Sequence, residues 1–357
     1  MIDLLRKNQN RIGGFAYLIN VIIIRKDYMM YSKIKQEVIF VDYDENGVVK
    51  TDWRADKEKT LLTSDSFKRL NKDKKAVRLA DCGTYLEFVR YVSLGKRKLF
   101  RANFCKCRLC PMCMKRRSKK IYGQTSKVMD VASKKYEFLF LTLTVKNCEG
   151  EGLKATLDMM FQAWRKLFQR KQVKQAIKGW FRGLEVTHNE EEDTYHPHFH
   201  VILAVDKMYF KGRNYIKQDE YKELWRDCLG VDYEPIVDIR RFRASNQKEL
   251  AKSLAEAAKY TVKDTDILKV DLELTDRILD ILDEALAHRR LTAFGGVLKD
   301  IHKDLNLDDA ENGDLINTDN EDEMREDLQY IIECVGWDFG LSNYYYKNIR
   351  LPEETKE

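Results

Sequence analysis

The fold prediction starts from the stretch His196-Pro197-His198-Phe199-His200-Val201-Ile202-Leu203. Its histidines begin an apolar, β-branched run that is typical of a strand. Side chains alternate along a strand, so His198 and His200 are expected on the same face of a sheet. Two neighbouring imidazoles form half of a metal site. A strand with two histidines on a hydrated face is the alternative, and the spacing alone does not choose between the two.

Segments with strand and helix patterns alternate on both sides of this stretch. Apolar and β-branched runs predict strands at residues 136–146, 180–188, 198–205 and 231–239, and helical spacing predicts helices at residues 153–175, 219–228, 248–263 and 271–288. The acidic connection at residues 189–195 is short enough for the strands on either side of it to pair as a hairpin. The pattern therefore predicts an α+β fold with a central antiparallel sheet and flanking helices.

The N-terminal region is a mixed lead-in rich in Lys, Asp and Asn. Residues 15–24 predict a buried strand, and the turn sequence at residues 44–47 predicts a connection between short strands at residues 38–42 and 48–51. No apolar run reaches the roughly 18 residues that a membrane span requires, and residues 15–24 lack the cleavage pattern of a signal peptide. A cytoplasmic location with no membrane partner is therefore expected.

Charge is distributed unevenly along the chain. Residues 308–327 contain ten acidic residues and one basic residue, which gives this segment a net charge of −9 and leaves +15 on the remainder. The whole chain carries +6, and its hydrophobic content of 44% is enough for a folded core. A basic body with an acidic segment favours a polyanionic partner, nucleic acid above all, although a mixed solvated surface would give the same net charge.

Four of the eight cysteines lie within residues 105–113, and Cys82 precedes them. This density, with a C-x-x-C pair at its end, is typical of a tetrahedral zinc site rather than of disulfides. Free cysteines or a redox pair are the alternative. A zinc site needs four ligands from the five cysteines, and the predicted ligands are Cys82, Cys105, Cys110 and Cys113, with Cys107 as the spare.

Residues 101–120 contain eight basic residues and no acidic residue. A rigid zinc-bound module that displays Arg and Lys suits contact with the phosphate backbone of DNA, whereas basic surfaces elsewhere are usually only solvated. The predicted DNA-binding residues are Arg108, Lys115, Arg116, Arg117, Lys119 and Lys120.

A divalent ion needs more ligands than His198 and His200. Glu185 lies in the preceding predicted strand and would reach the same ion if the two strands pair. Two histidines and a carboxylate suit Mn²⁺ and accept Mg²⁺ when a substrate phosphate supplies further oxygens. His188 is the rival ligand by type, but it lies three residues from Glu185 and is expected on the other face. His196 is expected to precede the strand.

The helix predicted at residues 248–263 carries a tyrosine on its polar face. Glu256 and Tyr260 lie one turn apart on that face and Lys263 follows them. A tyrosine beside a carboxylate and lysines is placed for chemistry. An ordinary surface contact between Glu256 and Tyr260 is the alternative.

Together these residues resemble the HUH superfamily of single-strand-nicking endonucleases, and most closely the rolling-circle replication initiators (Rep proteins) of small Gram-positive plasmids. Residues 196–200 are similar to the HUH motif, residues 138–144 resemble the first motif of the superfamily and residues 256–263 resemble the third. The cysteine block at residues 104–113 also resembles that branch, in which a non-cysteine usually stands at the position of Cys107. The resemblance covers residues 80–298.

The resemblance implies an HUH, ferredoxin-like core and a metal-dependent, site-specific single-strand DNA endonuclease and strand transferase. Tyr260 is then the nucleophile, Glu256 the base for a terminating water, and Lys263 an aid to deprotonation of the tyrosine. Glu185 and the histidine pair hold a catalytic Mg²⁺ or Mn²⁺, and the four cysteines hold a structural Zn²⁺. The implied partners are single-stranded or cruciform plasmid origin DNA and the host helicase and replication machinery.

Four modules are predicted along the chain: an N-terminal lead-in (1–77), a zinc-binding basic module (78–120), a nicking and strand-transfer domain (121–300) and an acidic C-terminal segment (301–357). A conjugative relaxase or an HUH transposase is the nearer alternative, and a zinc-ribbon DNA-binding regulator without catalysis is the more distant one. Relaxases usually keep a third histidine and place the tyrosine early, and some transposases carry paired tyrosines. Neither pattern matches Glu185 and Tyr260 in this chain.

Overall fold

The computed structural model describes residues 39–44, 46–242, 247–257, 262–318 and 329–351. The strand predicted at residues 15–24 lies outside this part of the chain. No helix in the described ranges is long and apolar enough to cross a membrane. The chain divides into two compact units, of which one comprises the described parts of residues 1–54, 84–102 and 325–357, and the other those of residues 55–83 and 103–324.

The strands of the described residues follow one another along the whole chain. They are β1 (Asp42–Tyr43), β2 (Val49–Thr51), β3 (Tyr85–Tyr91), β4 (Arg97–Ala102), β5 (Tyr136–Thr144), β6 (Ile177–Asn189), β7 (Thr194–Asp206), β8 (Val237–Phe242), β9 (Thr292–Gly296), β10 (Tyr330–Asp338) and β11 (Asn343–Arg350).

Helices separate most of these strands. They are α1 (Trp53–Arg69), α2 (Asp73–Asp81), α3 (Pro111–Ala132), α4 (Gly150–Leu167), α5 (Lys171–Ala176), α6 (Gln218–Leu229), α7 (Gln247–Ala257), α8 (Asp264–Ile267), α9 (Leu272–Ala285) and α10 (Val297–Asp304), with a short 3₁₀ helix at Tyr209–Lys211.

The larger unit is built on a five-stranded antiparallel sheet in the order β8-β5-β7-β6-β9. The two longest strands, β6 and β7, form the predicted hairpin, with Asn189 paired to Thr194 at the turn. These strands are rich in β-branched and aromatic residues, which suit a pleated surface with packing on both sides. The predicted α+β class with an antiparallel sheet and flanking helices is confirmed.

Helices cover both faces of this sheet. On one face, Phe140, Phe181 and Ile202 pack in a core that also contains residues of α3, α7 and α10. On the other face, Phe199 packs edge-on against Trp164 of α4 and Trp225 of α6. Each aromatic side chain buries a large apolar area, so the sheet is held from both sides.

The smaller unit contains a second antiparallel sheet in the order β11-β10-β3-β4, and β1 and β2 form a separate ribbon. Its buried acids are paired with arginines, since Arg97 Nε lies 2.6 Å from Glu333 Oε2 and Arg350 contacts Glu87. A buried carboxylate without such a partner would be costly. Strand β10 thus pairs with β3, more than 200 positions earlier in the chain, and this long-range pairing joins two of the four predicted modules. The module boundaries stay a prediction.

The structure corrects three predicted elements. The helix predicted at residues 153–175 is two helices, because Arg170 is extended, with ψ 132°. The strand containing the histidines begins at Thr194, so His196 lies inside it and not before it. Strand β8 begins at Val237 rather than at residue 231, since Pro235 has no N–H to donate to a ladder.

Candidate functional site

Three predicted ligands meet on two neighbouring strands of the five-stranded sheet. Glu185 of β6 stands opposite His198 of β7, and His200 follows on the same face. Glu185 Oε2 lies 3.3 Å from His198 Nε2 and 2.8 Å from His200 Nε2. The three ligand atoms lie within 4.8 Å of one another. The antiparallel register therefore gathers one compact group of donors from both strands, and we call it the Glu-His-His group.

The second ring nitrogen of each histidine has a neighbour that orients the ring. His198 Nδ1 lies 3.1 Å from the backbone carbonyl oxygen of His196, and His200 Nδ1 lies 3.5 Å from Thr142 Oγ1 on β5. A carbonyl oxygen only accepts hydrogen bonds, so His198 Nδ1 carries a proton and donates it to His196. Its Nε2 is turned toward the carboxylate, and loss of the Nε2 proton would free the lone pair that a metal ligand requires.

Glu185 is a buried carboxylate that stays charged. Glu185 is 3% exposed. Burial alone would raise the pKa of this carboxyl, but hydrogen bonds from His198 and His200 outweigh burial and hold the pKa well below its ordinary value. The Glu185 carboxylate therefore carries a negative charge at neutral pH, which favours a bound cation.

Helix α7 brings a second carboxylate to the same place. Glu256 Oε1 lies 3.6 Å from His200 Nε2. The helix comes this close because β6 has a glycine beneath it: a Cβ on Gly183 would lie 2.7 Å from the carbonyl oxygen of Ala257. No other residue type fits without a shift of the backbone.

Lys263 also reaches this site, but it lies outside any helix, because α7 ends at Ala257 and not at residue 263 as predicted. Its Nζ lies 3.4 Å from Glu185 Oε1. Tyr260 lies outside the described residues. Glu256 lies four positions before Tyr260 in the chain, and Lys263 lies three positions after it. Both contact residues of the Glu-His-His group.

The rival histidines have other partners. His188 Nε2 lies 2.9 Å from Asp193 Oδ1, and His196 Nδ1 lies 2.8 Å from Asn147 Oδ1. Burial, followed by the neighbouring charge of His198, lowers the pKa of His196. Neither histidine belongs to a metal-holding group within the described residues.

The Glu-His-His group fits a divalent cation on chemical grounds. Two imidazole nitrogens and one carboxylate oxygen converge, and such a set serves Mn²⁺ well and serves Mg²⁺ when further oxygens are supplied. Three protein ligands leave coordination positions open for a substrate. The group is therefore a candidate for catalysis rather than for a closed structural site.

The second metal-holding group consists of the four cysteines predicted from the sequence, Cys82, Cys105, Cys110 and Cys113. Cys82 Sγ lies 3.6 Å from the sulfurs of Cys110 and Cys113, and the Cys105 and Cys113 sulfurs are 3.7 Å apart. Four thiolates about 2.3 Å from a tetrahedral Zn²⁺ stand ~3.8 Å from one another. The spacing of the sulfurs thus matches zinc.

The surroundings of the cysteines are consistent with a closed site. Burial raises the pKa of the Cys110 thiol, so a cation is needed if it is to ionise. Lys57 is fully buried and donates to the carbonyl oxygens of Ala80 and Cys82 at 2.6 and 2.7 Å. Cys107 stays outside the group of four, as the sequence predicted.

Two predicted DNA-binding residues are buried. Arg116 is 3% exposed and Lys120 is 1% exposed. Arg116 Nε donates to the carbonyl oxygen of Leu315 at 2.8 Å, and Lys120 Nζ lies 2.6 Å from Asp308 Oδ1. Both side chains therefore bind the start of the acidic segment. The sequence had suggested that they belong to an exposed basic surface, and they do not.

The other four basic residues are partly exposed, and their partners differ. Arg108 Nη2 lies 3.1 Å from Glu311 Oε1, and Arg117 Nε donates to the Glu311 carbonyl oxygen at 2.8 Å. Lys115 Nζ pairs with Asp56 at 2.7 Å. Lys119 is half-buried on the same helix. These side chains keep a route to solvent that Arg116 and Lys120 lack.

Two residues that shape the site, Thr142 and Gly183, were not predicted from the sequence. Thr142 lies in the strand that suggested the first motif, but its hydroxyl was not connected with His200. Gly183 interrupts a run of bulky residues in a strand, and an isolated glycine in such a pattern signals close approach of another backbone. The glycine signal was present in the sequence, whereas the contact of Thr142 depends on the strand order of the sheet.

Comparison with known proteins places the chain among replication proteins. The model of the family Rep_1, described as replication protein, matches residues 96–345. The "Protein rep" of Bacillus amyloliquefaciens is 42% identical over 342 residues, which cover 89% of this chain and 100% of that protein. The "Protein rep" of Streptococcus pneumoniae is 40% identical over 320 residues, which cover 88% of this chain and 97% of that protein.

A shorter relative matches a smaller share of this chain. The "Replication protein" of Staphylococcus aureus is 40% identical over 214 residues, covering 59% of this chain and 90% of that protein. No solved structure gave a significant match. The geometry of the site is therefore described for this chain alone.

Proposed function

The chain belongs to the Rep_1 family of replication proteins, and on that premise we propose that it nicks one DNA strand at the double-strand origin of a plasmid. Proteins of this family initiate plasmid replication, and the resemblance to rolling-circle initiators is confirmed. The observation that carries the nicking proposal is the Glu-His-His group with Glu256 beside it, 3.6 Å from His200 Nε2.

The Glu-His-His group is the proposed site of a divalent cation, Mg²⁺ or Mn²⁺. When bound, the ion would polarise the scissile phosphate and offset the charge that develops on its oxygens. Glu185 supplies the negative charge that retains a cation, and the contacts at the Nδ1 atoms of His198 and His200 keep their Nε2 atoms aimed at it. These residues therefore orient the phosphate for attack.

Tyr260 is the proposed nucleophile. Its phenolic oxygen attacks the scissile phosphorus, the bond from phosphorus to the 3′ oxygen of the upstream nucleotide breaks, and that oxygen takes up a proton. The products are a free 3′-hydroxyl, which a polymerase can extend, and a 5′-phosphotyrosyl enzyme. The ester conserves the energy of the phosphodiester, so the strand can later be rejoined.

Lys263 is proposed to help the tyrosine lose its proton. Tyrosine has a reference pKa of about 10, so attack at neutral pH needs positive charge near the phenol. The Lys263 ammonium lies 3.4 Å from Glu185 Oε1, and it is only three residues from Tyr260 in the chain. Its charge is therefore available beside the Glu-His-His group, where the tyrosine is proposed to act.

Glu256 is proposed to end the reaction. After one round of replication a second cleavage is needed, and a second tyrosine would leave the enzyme bound to DNA. A carboxylate four positions before Tyr260 in the chain can instead take a proton from a water, so that the second cleavage is a hydrolysis. The Glu256 side chain is 29% exposed, so water reaches it.

The four cysteines are proposed to hold a structural Zn²⁺ that fixes the basic module. Arg108, Lys115, Arg117 and Lys119 remain proposed contacts to origin DNA, whereas the buried Arg116 and Lys120 are proposed to position them. Contacts of this kind are largely independent of DNA sequence. The host helicase and the replication machinery are the further proposed partners, acting on the 3′-hydroxyl and the strand that the nick releases.

A cleavage assay on the supercoiled replicon tests the proposal. With Mn²⁺ or Mg²⁺, the purified chain should convert the plasmid to open circles with a break at one position of one strand, mapped by primer extension. Without added divalent ion the plasmid should stay supercoiled. If the plasmid is bound but never cut in any metal, the chain acts as a zinc-ribbon DNA-binding regulator and the proposal is wrong.

A further inference from the structure

A second charged cleft lies on the sheet face opposite the Glu-His-His group. Arg182 precedes Glu185 by three positions in β6, so the two side chains point to opposite faces. The cleft has a volume of about 340 Å³. Its charged lining residues are Arg165, Arg182, Arg289, Arg290 and Asp158.

Arg182 is a buried cation in an aromatic setting. It is 5% exposed, and the centre of its guanidinium group lies 4.5, 5.5 and 5.0 Å from the ring centroids of Phe161, Trp164 and Phe199. Its Nη2 donates to the carbonyl oxygen of Arg290 at 2.9 Å, whereas its Nε has no hydrogen-bond partner. The rings fix the guanidinium plane and leave donor capacity unused.

The residues that line the cleft carry a net positive charge. Arg289 pairs with Asp158 at 2.5 Å, and Arg290 pairs with Asp309 at 3.0 Å. Among the described residues, no carboxylate forms an ion pair with Arg165 or Arg182. Burial lowers the pKa of Arg182 to about 10, even though the charge of Glu311 raises it, so the guanidinium stays charged at neutral pH. The cleft is lined by four arginines and one carboxylate, Asp158, so it favours an anion.

We propose that this cleft binds a phosphate group, held by the guanidinium groups of Arg182 and Arg165. Guanidinium groups bind phosphate through paired hydrogen bonds that are stronger than neutral ones. The volume exceeds that of a single phosphate and suits a nucleotide unit. The phosphate comes either from a DNA strand that passes along this face or from a free nucleotide. The proposal needs neither Tyr260 nor the Glu-His-His group, so it stands apart from nicking.

Calorimetric titration with pyrophosphate at constant ionic strength tests the proposal in buffer without Mg²⁺ or Mn²⁺. Arg165→Ala removes an exposed lining residue and should leave folding intact. Arg182→Lys keeps the charge and removes the paired donors, and thermal unfolding checks its stability. Arg213→Ala, at an exposed arginine away from the cleft, is the matched control. We expect both cleft variants to bind pyrophosphate about tenfold more weakly than the wild type, and the control to be unchanged.

A labelled single-stranded oligonucleotide without origin sequence, measured under the same conditions, identifies the source of the phosphate. If DNA occupies the cleft, pyrophosphate competes with the oligonucleotide, and Arg165→Ala weakens its binding and lowers the salt dependence by about one charge. If a free nucleotide occupies it, oligonucleotide binding is unchanged while pyrophosphate binding falls. Equal pyrophosphate affinity in the wild type and both cleft variants, or no binding at all, would overturn the proposal.

Discussion

At the scale of single residues, Glu256 differs from Glu185 in its access to water. The Glu256 side chain is 29% exposed and the Glu185 side chain is 4% exposed, although both lie close to His200 Nε2. Glu185 is held charged by two histidines and suits a metal ligand. A solvent-accessible carboxylate at the edge of the group suits a base that acts on water. The two acids are therefore assigned different tasks.

Replacing Glu256 by Ala should separate the first cleavage from termination. The variant keeps the Glu-His-His group, so we expect it to nick an origin within about threefold of the wild-type rate. It should accumulate multimeric single-stranded products, because no base activates the terminating water. Gel analysis of replication products measures both, with Glu273→Ala, at an exposed acid of α9, as the control. Unit-length circles from the Glu256 variant would contradict the assignment.

At this scale the sequence predicted all three residues of the Glu-His-His group, because strand periodicity is a local property. The two-residue spacing placed His198 and His200 on one face, and pairing of adjacent strands then pointed to Glu185. The contact between Thr142 and His200 was not predicted, since it depends on β5 being the other neighbour of β7. The register of strands that are distant in sequence is set by the whole sheet.

At the scale of the elements, the close contact between β6 and α7 fixes the distance from the helix to the histidines. Gly183 leaves no room for a Cβ beneath Ala257. The sequence predicted the helix and its polar face, but the separation of a helix from a sheet follows from side-chain volumes at the contact. The approach of Glu256 to His200 was therefore visible only in the folded chain.

Gly183→Ala should move α7 away from the metal ligands. We expect a loss of stability of about 1–3 kcal/mol from overpacking and a fall in nicking of at least tenfold, since small displacements at a reacting centre are costly. Chemical denaturation and the cleavage assay measure the two effects. Gly152→Ala is the control, because its Cβ would make an ordinary 3.8 Å contact with the Cys148 side chain. Wild-type nicking by the Gly183 variant would show that the close approach is unimportant.

The cysteine element allows an equally direct prediction. The spacing of the cysteines was informative in the sequence because zinc sites reuse a short C-x-x-C turn. We expect one zinc per chain in the wild type and in Cys107→Ser, and less than half of that in Cys110→Ser, with a lower melting temperature. Elemental analysis of the purified proteins provides the count. Loss of zinc in Cys107→Ser with retention in Cys110→Ser would reverse the choice of ligands.

At the scale of the whole molecule, the described start of the acidic segment (residues 308–318) contacts helix α3 and the basic residues that precede it. Asp308 and Glu311 contact Lys120 and Arg108, and backbone carbonyls of the same segment accept from Arg116. The sequence showed the opposite charges, but their pairing spans almost 200 positions of the chain and leaves no local pattern. Part of the positive charge that suggested DNA binding is thus neutralised within the protein.

Lys120→Met should therefore act on stability. Lys120 Nζ donates to Asp308 and to the carbonyl oxygen of Asp314 at 2.6 Å. Removing it takes the Lys120 donor from the Asp314 carbonyl and the counter-charge from Asp308, which keeps only uncharged donors from Gln124 and Asp314, at a cost of about 1–3 kcal/mol. Thermal unfolding should show a drop of several degrees, whereas Lys135→Met, at an exposed lysine, should change little. Unchanged stability with a large loss of DNA affinity would instead favour a direct phosphate contact.

The most direct test of the account is covalent capture of DNA by Tyr260. The wild-type chain, incubated with a single-stranded origin oligonucleotide labelled at its 3′ end in Mn²⁺ buffer, should give a labelled adduct that survives SDS electrophoresis. Tyr260→Phe, which removes only the phenolic oxygen, should give none while it still binds the oligonucleotide. An SDS-stable adduct of undiminished yield in the Phe variant would contradict the assignment of the nucleophile and with it the proposed chemistry.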